Sequence, residues 1–186
     1  DHCQSRGLGD VYKRQQLNSA YGAIGNQYFR YYNLRNAEAI TYGGQFSIRW
    51  IENKMNEYLN RVLKTKGEDY VIASDTDSIY LNMGPLVETV YKGREKTDQS
   101  VVGFLNKVSE MELEPYIQSS YEELAEYVSA YDQKMIMKRE NIASSGIWTA
   151  KKRYMLNVWD SEGVRYNKPK LKMMGIEAVK SSTPAP

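Results

Sequence analysis

Cysteine and histidine are almost absent from this chain of 186 residues. It contains one of each, and both Cys3 and His2 lie within the first three positions. A disulfide within the chain or a zinc finger needs more of these residues. No apolar run approaches the roughly 20 residues that span a bilayer. The sequence therefore predicts neither a disulfide-stabilised protein, nor a zinc finger, nor a membrane-spanning protein.

A large excess of one charge sign is also lacking, because the formal net charge is only +2. The distribution of charge is more informative. Residues 100–132 contain seven acidic side chains and one lysine, whereas residues 134–180 contain eleven basic and four acidic side chains. We expect one face of the molecule to repel phosphate and another to attract it.

The most informative motif is Asp75-Thr76-Asp77, which lies between the apolar runs Tyr70-Val71-Ile72-Ala73 and Ile79-Tyr80-Leu81. Such flanks predict a β-hairpin whose tip carries both carboxylates and can direct them at one point. Magnesium prefers oxygen ligands and usually takes one or two protein carboxylates. A polar turn would also explain an isolated Asp-x-Asp. The magnesium interpretation therefore depends on the rest of the chain.

A second motif, Asn18-Ser19-Ala20-Tyr21-Gly22, is predicted to open a helix. Arg14, Asn18, Tyr21 and Gly25 would share one helix face, which offers a cation, an amide and an aromatic ring. The glycines cost helix stability, which is tolerable where a base pair approaches the backbone closely. An ordinary amphipathic helix with Tyr21 in the core is the alternative.

The third motif is Lys151-Lys152-Arg153-Tyr154, within a run of β-type residues from Ile147 to Trp159. Three consecutive cations in one strand would place charge on both faces of a sheet, which a half-buried strand avoids. A polyanion such as nucleic acid would resolve this, with cations on phosphates and aromatic rings on bases or sugars. A solvated edge strand protected by lysines is the alternative.

The coarse pattern predicts an α+β fold in which long helices pack on an antiparallel sheet. A second long helix is expected between residues 101 and 128, bent or interrupted by Pro115. A short helix should follow Gly84-Pro85, and β-type runs should occur at residues 134–139, 147–159 and 171–174, with a turn at 160–163. The longest helix is predicted from about residue 35 to 64, on apolar positions at helical spacing: Ala37, Ile40, Gly44, Ile48, Ile51, Met55, Tyr58 and Val62.

Taken together, the three motifs resemble the family B DNA polymerases, in particular the replicative polymerases of T-even-like tailed phages. Asn18 to Gly22 is similar to the family's fingers-helix motif, Tyr70 to Tyr80 to its palm hairpin, and Lys151 to Tyr154 to its primer-contacting run. The segments Phe29–Ala37 and Lys180–Pro184 are also similar to the phage enzymes. The resemblance extends over Gln16 to Pro184, with the motifs in family order and at family spacing.

The resemblance implies template-directed nucleotidyl transfer to a primer 3′-hydroxyl by a two-metal mechanism. Its substrates would be primer–template DNA and deoxynucleoside triphosphates, its cofactor two Mg²⁺ ions, and its location the cytoplasm of an infected bacterium. A sliding clamp would bind through regions outside this sequence, and no membrane would be involved. The implied sites are catalytic and metal-binding Asp75 and Asp77, nucleotide-binding Asn18 and Tyr21, and DNA-binding Lys151, Lys152, Arg153, Tyr154 and Lys180. Arg14 occupies the position of the family's triphosphate-binding lysine.

The resemblance also implies a domain organisation. Residues 16–34 would be the C-terminal fingers helix, 35–180 an incomplete palm without its first strand, and 181–186 the start of the thumb. Residues 1–15 are interpreted as a non-native segment derived from a sequencing adapter, and they lack the apolar centre of a signal peptide. The upstream palm motif Asp…Ser-Leu-Tyr-Pro, which supplies another metal-bridging carboxylate, does not occur in the sequence. We therefore expect no polymerase activity from this chain alone.

Two other function classes remain open. A glycosyltransferase also uses Asp-x-Asp to hold a metal and a nucleotide diphosphate, but it does not explain the motifs at Asn18 and Lys151. A non-catalytic module that binds duplex nucleic acid would retain those motifs without the chemistry. Binding to duplex without magnesium and without primer extension would favour that alternative.

Overall fold

The computed structural model describes residues 8–93 and 96–177, and it confirms a mixed architecture of helices and antiparallel sheets. The chain divides into two compact units, Asp1–Phe46 and Ser47–Pro186. The predicted domain boundaries after residues 15, 34 and 180 stay predictions, as does a palm-type sheet. In chain order, the described elements are α1 (Leu8–Ile24), α2 (Leu34–Leu63), β1 (Val71–Asp75), β2 (Ser78–Leu81), α3 (Gly84–Val90), α4 (Asp98–Val108), a π-helical turn (Ser109–Leu113), α5 (Glu114–Tyr127), β3 (Asn141–Ala150), β4 (Arg153–Ser161) and β5 (Val164–Met174).

The long helix predicted from about residue 35 to 64 is confirmed as α2. Its apolar face is only partly as predicted, because Ile40 and Val62 are 53% and 45% exposed, whereas Leu59 is buried. In the second unit, Ile51 and Met55 of α2 are fully buried in the main core. The other buried members of that core come from the π-helical turn and α5, namely Leu113, Ile117, Tyr121 and Leu124.

Polar contacts fix the C-terminal half of α2 against α5. The Trp50 indole N–H donates to the Ser120 carbonyl oxygen at 3.0 Å, and the Lys54 ammonium lies 2.8 Å from the Glu123 carboxylate. The rings of Tyr58 and Tyr116 have centroids 4.5 Å apart. These contacts hold α5 and the C-terminal half of α2 in a fixed position relative to each other.

The second long helical stretch is interrupted near Pro115, as predicted. Proline lacks an N–H, and its ring clashes with the carbonyl four residues earlier in a regular helix. The chain accommodates it with the π-helical turn before α5, where the Glu114 N–H donates to the Ser109 carbonyl five residues back. A π-turn widens the helix locally. The short helix expected after residue 84 is confirmed as α3.

The described strands form two antiparallel sheets, one of β1 and β2 and the other in the order β3-β4-β5. The prediction of one continuous run from residue 147 to 159 is wrong, because a tight turn at Lys151 and Lys152 separates β3 from β4. The last strand is also longer than predicted and starts at Val164. Glu162 and Gly163 form the turn that precedes it.

The prediction of a strand at residues 134–139 is wrong as well. Side chains take the hydrogen bonds that a sheet would otherwise provide: the Arg139 N–H donates to the Glu114 carboxylate at 3.1 Å, and the Met135 N–H donates to the Gln133 side chain. The Arg139 guanidinium lies 2.5 Å from Asp160, which is 2% exposed, and also donates to Asn106. These bonds connect an extended segment to α4, α5 and β4 without a strand ladder.

Within residues 8–93 and 96–177, no helix combines the length and the apolar character needed to cross a membrane.

Candidate metal and nucleic-acid site

The acidic motif lies at the tip of the β1–β2 hairpin, as predicted. Asp75 pairs with Ser78 across a two-residue turn in which Thr76 has a φ of 53°. The Asp77 N–H and the Ser78 hydroxyl both donate to the Asp75 carbonyl oxygen, at 2.6 and 3.2 Å. The Thr76 hydroxyl donates to the Asp75 carboxylate at 3.0 Å. This network fixes the backbone that carries both aspartates.

The two carboxylates differ in exposure, since Asp77 is exposed and Asp75 is half-buried. In the part of the chain that the structure describes, neither forms an ion pair. No group of three or more acidic, histidine or cysteine side chains there could hold a metal. Two oxygen donors that leave other positions for water and phosphate are typical of Mg²⁺ sites.

The two faces of the hairpin differ in chemistry, and a β-bulge places Val71 on the core face. The register shifts between Val71 and Ala73, and this shift lets Val71 pair with Leu81. Val71, Ile79 and Leu81 pack on the main core. Since neighbouring strand residues alternate between faces, Asp75 and Tyr80 both lie on the opposite face. The core face thus anchors the hairpin, while the other face presents a carboxylate and a tyrosine.

The hairpin is also secured where it begins. The Asn56 side-chain oxygen accepts the backbone N–H groups of Tyr70 and Val71, at 2.8 and 3.2 Å. The Tyr70 hydroxyl is hydrogen-bonded to Thr65 at 2.8 Å, and Tyr70 is 4% exposed. The Asn82 N–H donates to the Tyr70 carbonyl oxygen at 2.8 Å. Both strands are therefore held at the end opposite to the acidic tip.

Tyr80 connects the acidic hairpin to the β3–β4 sheet. Its ring centroid lies 5.2 Å from that of Trp148 in an edge-on arrangement, and 5.6 Å from that of Tyr154. Trp148 and Tyr154 are directly opposite each other in the β3–β4 register. Burial raises the pKa of Tyr80, and its interactions with the Tyr154 hydroxyl raise that pKa further. The acidic motif and the basic motif are thus joined through one aromatic cluster, which consists of Tyr80, Trp148 and Tyr154.

The structure separates the four residues of the basic motif into two environments. Lys151 and Lys152 form the exposed β3–β4 turn, and Lys152 has a φ of 62°. Arg153 and Tyr154 are half-buried at the start of β4. The expectation of three cations within one strand is therefore wrong. The turn removes the conflict of charge on both sheet faces, because its lysines project from the end of the hairpin.

The chain that leaves β5 packs against this turn. Gly175 has a φ of 65°, and a Cβ atom there would lie 2.2 Å from the Lys152 carbonyl oxygen. The Arg153 guanidinium forms an ion pair with Glu177, two residues further on. Glycine at position 175 is therefore required both for its backbone conformation and for the close approach to the turn.

The helix motif lies in the first unit. The helix begins at Leu8, so the expectation that Asn18 opens it is wrong and the motif occupies its C-terminal part. Asn18 is exposed, and Tyr21 is 45% exposed. The Thr41 hydroxyl donates to the Ala37 carbonyl oxygen at 3.1 Å and therefore accepts from the Tyr21 hydroxyl at 3.0 Å. This bond fixes the Tyr21 ring on α1 relative to α2, and Tyr21 does not enter a core.

Other predicted positions cannot be placed. The backbone at Arg14 belongs to α1, but its side chain lies outside what the structure describes. Lys180 and residues 181–186 also lie outside the described residues, as do His2 and Cys3. Asp75, Asp77 and residues 151–154 belong to the second unit.

Comparison with known proteins gives two strong matches. The chain is 47% identical over 182 residues to the DNA-directed DNA polymerase of Escherichia phage RB69, and 46% identical over 176 residues to that of Enterobacteria phage T4. These matches cover 94% and 90% of the chain. It is related to one segment of the phage DNA-directed DNA polymerases. The resemblance inferred from the motifs is confirmed.

The chain spans only 20% of the length of each of these polymerases. No protein-family model matches it. The relationship to phage polymerases therefore rests on the two pairwise matches.

Sequence reasoning missed Tyr80 and Trp148, which join the acidic hairpin to the β3–β4 sheet. Tyr80 could have been found, because strand alternation places it on the face of Asp75. Trp148 could not, since its pairing with Tyr154 depends on the turn at Lys151, which the sequence pattern did not reveal. Sequence reasoning also missed Lys168, Lys170 and Lys172, which occupy every second position of β5 and therefore lie on one face of that strand.

Proposed function

We propose that this chain is the segment of a phage DNA-directed DNA polymerase that carries a metal-binding hairpin and a DNA-contacting turn. The 46 to 47% identity to two such enzymes, over at least 90% of the chain, carries the proposal. The hairpin-tip position of Asp75 and Asp77 supports it. On this proposal, the second unit is part of a palm-type domain, and α1 is a fingers helix. The polymerase would act in the cytoplasm of an infected bacterium.

Asp75 and Asp77 are the proposed metal ligands. They are oxygen donors without ion-pair partners in the described part of the chain, and the hairpin network fixes their backbone. When bound, two Mg²⁺ ions would neutralise the triphosphate and favour the deprotonated primer 3′-hydroxyl. Asp77 would share the metals with an aspartate from the upstream palm motif, so that the 186-residue chain alone would extend no primer.

Asn18 and Tyr21 are proposed to line the nascent base pair. Both side chains are exposed on one helix, three residues apart, and the bond to Thr41 holds the Tyr21 ring in a fixed orientation. A ring held in this way can test the shape of a base pair from the minor-groove side without reading its sequence. The incoming deoxynucleoside triphosphate would therefore bind against α1.

The β3–β4 turn is proposed to hold the primer–template duplex. Lys151 and Lys152 are exposed and available to phosphates, while Tyr154 and Arg153 lie closer to the sheet. Contacts of this kind position a duplex and carry almost no sequence information, as a general copying enzyme requires. Lys180 is proposed to join them, and a sliding clamp to bind elsewhere on the complete polymerase.

Primer extension by a chimera tests the proposal. The chain would replace the matching segment of the Escherichia phage RB69 polymerase, and extension would be measured with Mg²⁺. We expect the chimera to be active, Asp77→Ala to abolish extension, and the matched exposed change Asp98→Ala to retain it. Full activity of the Asp77→Ala chimera would contradict the metal assignment. A folded chimera that binds duplex but never extends it would favour the non-catalytic binding module.

A further inference from the structure

The aromatic cluster of Tyr80, Trp148 and Tyr154 connects the acidic hairpin to the β3–β4 strands. Tyr80 lies on the same hairpin face as Asp75, and the Asp75 charge is among the influences that raise the Tyr80 pKa. The other two members belong to the sheet that ends in the basic turn. The Tyr80 ring therefore contacts the β3–β4 strands that carry the basic turn. Tyr80 is also close enough to the candidate metal ligand Asp75 for the charge of Asp75 to affect its pKa.

Trp148 owes its position to packing. Its indole N–H is buried without a hydrogen-bond partner among the described residues. A Cβ atom at Gly146 would lie 2.7 Å from Cη2 of the indole and 2.6 Å from Leu156. The ring thus covers the space that a side chain at position 146 would fill. The surface on which Tyr80 rests is therefore closely fitted and has little freedom to move, because close-packed groups resist displacement.

The hairpin tip itself needs such a support. Its core face is anchored by Val71, Ile79 and Leu81, but these residues fix only one side of a two-stranded sheet. A two-stranded hairpin is marginally stable alone, and the main core covers one face of this one. On the other face, Tyr80 lies two residues from Ser78, whose hydroxyl binds the Asp75 carbonyl oxygen. A change in the position of Tyr80 would therefore shift the backbone at Ser78 and, through the Ser78 hydroxyl, the backbone of Asp75.

We infer that Tyr80 is a positioning residue, which holds the Asp75–Asp77 hairpin in its metal-binding geometry by packing on Trp148 and Tyr154. The inference rests on the proposed function, because it assumes that the two aspartates bind a divalent metal. It adds that metal affinity depends on an aromatic contact outside the ligands. The position of the basic turn and the metal-binding geometry are thereby linked.

Manganese affinity of the whole chain tests this inference, measured from the electron paramagnetic resonance signal of free Mn²⁺. The variants are Tyr80→Leu, Trp148→Leu and the double variant. We expect each single change to weaken binding by about threefold to tenfold, the range of one aromatic pair contact. The double variant should lose little more than either single variant, since all three lack the same contact. The milder Tyr80→Phe keeps the ring and should bind more tightly than Tyr80→Leu.

Tyr58→Leu is the matched control. Tyr58 is also half-buried, stacks on Tyr116 and has its hydroxyl 3.4 Å from Glu112, but it belongs to the α2–α5 contact. Its removal should lower thermal stability by a similar amount and leave manganese affinity unchanged. Equal effects of Tyr58→Leu and Tyr80→Leu on affinity would overturn the inference, because they would reflect a general loss of stability. Strictly additive effects at Tyr80 and Trp148 would also overturn it.

Asp77→Asn separates this inference from the proposed function. If Asp77→Asn loses manganese binding while Tyr80→Leu retains it, the metal site stands and the positioning role fails. If Asp77→Asn binds as tightly as the unchanged chain, both the metal assignment and the positioning role fail. Loss of affinity in both variants, with Tyr58→Leu unchanged, supports both.

Discussion

The carboxylate of Asp77 at the hairpin tip acts on the buried hydroxyl of Tyr121 on α5. Burial is the larger cause that raises the pKa of Tyr121, and the negative charge of Asp77 raises it further. Tyr121 is 6% exposed and belongs to the main core. The exposed carboxylate of the candidate metal site therefore interacts electrostatically with a buried tyrosine of the main core.

This relationship predicts that Asp77→Asn lowers the pKa of Tyr121. Removing the charge takes away one of the two influences, and the remaining one, burial, should still hold the pKa above that of a free tyrosine. The pKa is measured by carbon NMR of the tyrosine ring during an alkaline titration. Asp98→Asn, which removes an equal charge on α4, should leave it unchanged. An unaltered Tyr121 pKa in Asp77→Asn would show that the two residues do not interact.

Stability should fall at alkaline pH. The pKa values of Tyr58, Tyr80 and Tyr121 are all raised above the ordinary value of 10.0. The folded state therefore retains protons that the unfolded state loses, so that the free energy of unfolding decreases as the pH rises above 10. Below that pH, this contribution is fully present. Urea unfolding at a series of pH values measures the effect, and Tyr121→Phe should flatten the decline. An identical decline in that variant would refute the assignment to Tyr121.

Lys151 should contribute to duplex binding through one phosphate. Because each phosphate contact releases counterions, Lys151→Gln should reduce the slope of log K against log salt by about one. Lys107→Gln provides the matched control, since Lys107 is exposed on α4, outside the basic turn. It should leave the slope unchanged. Equal slopes for Lys151→Gln and the unchanged chain would make Lys151 a solubility residue.

Gly175→Ala should destabilise the second unit more than Gly163→Ala. Both glycines have positive φ, which costs an alanine about 1 to 2 kcal/mol. A methyl group at Gly163 meets nothing within 4 Å, whereas one at Gly175 would overlap the Lys152 carbonyl oxygen. Overpacking of this kind adds about 1 to 3 kcal/mol. Urea unfolding measures both variants, and equal losses would show that the chain after β5 does not need its contact with the turn.

Much of the second unit could be predicted because its patterns are local. The length of α2 follows from apolar residues at helical spacing, and the acidic hairpin from two apolar runs around five polar residues. The failures are tertiary. Residues 134–139 have strand-like composition, but Glu114 and Gln133 supply their hydrogen bonds, and no pattern within the segment indicates this. The turn at Lys151 was not predicted, because consecutive lysines are also compatible with a solvated edge strand. In the structure they form a tight turn in which Lys152 has a positive φ.

The residues of the candidate site also divide into those with a local sequence signal and those whose importance depends on tertiary contacts. Asp75, Asp77 and the basic run were predicted from their chemistry and spacing, without knowledge of the fold. Tyr80 and Trp148 were not, because their importance comes from a contact between two sheets. Residue type identifies groups that can bind a metal or a phosphate, whereas the residues that position those groups are ordinary aromatic side chains until the contacts are known.

Terbium luminescence gives the most direct test of the metal-binding hairpin. Tb³⁺ bound at oxygen ligands beside an aromatic ring emits when the ring is excited, and Tyr80 lies on the face of Asp75. We expect the unchanged chain to show emission that Mg²⁺ competes away, Asp77→Asn and Asp75→Asn to lose it, and Asp98→Asn to retain it. Emission of full strength and affinity in Asp77→Asn would contradict the account, because the metal would then bind elsewhere.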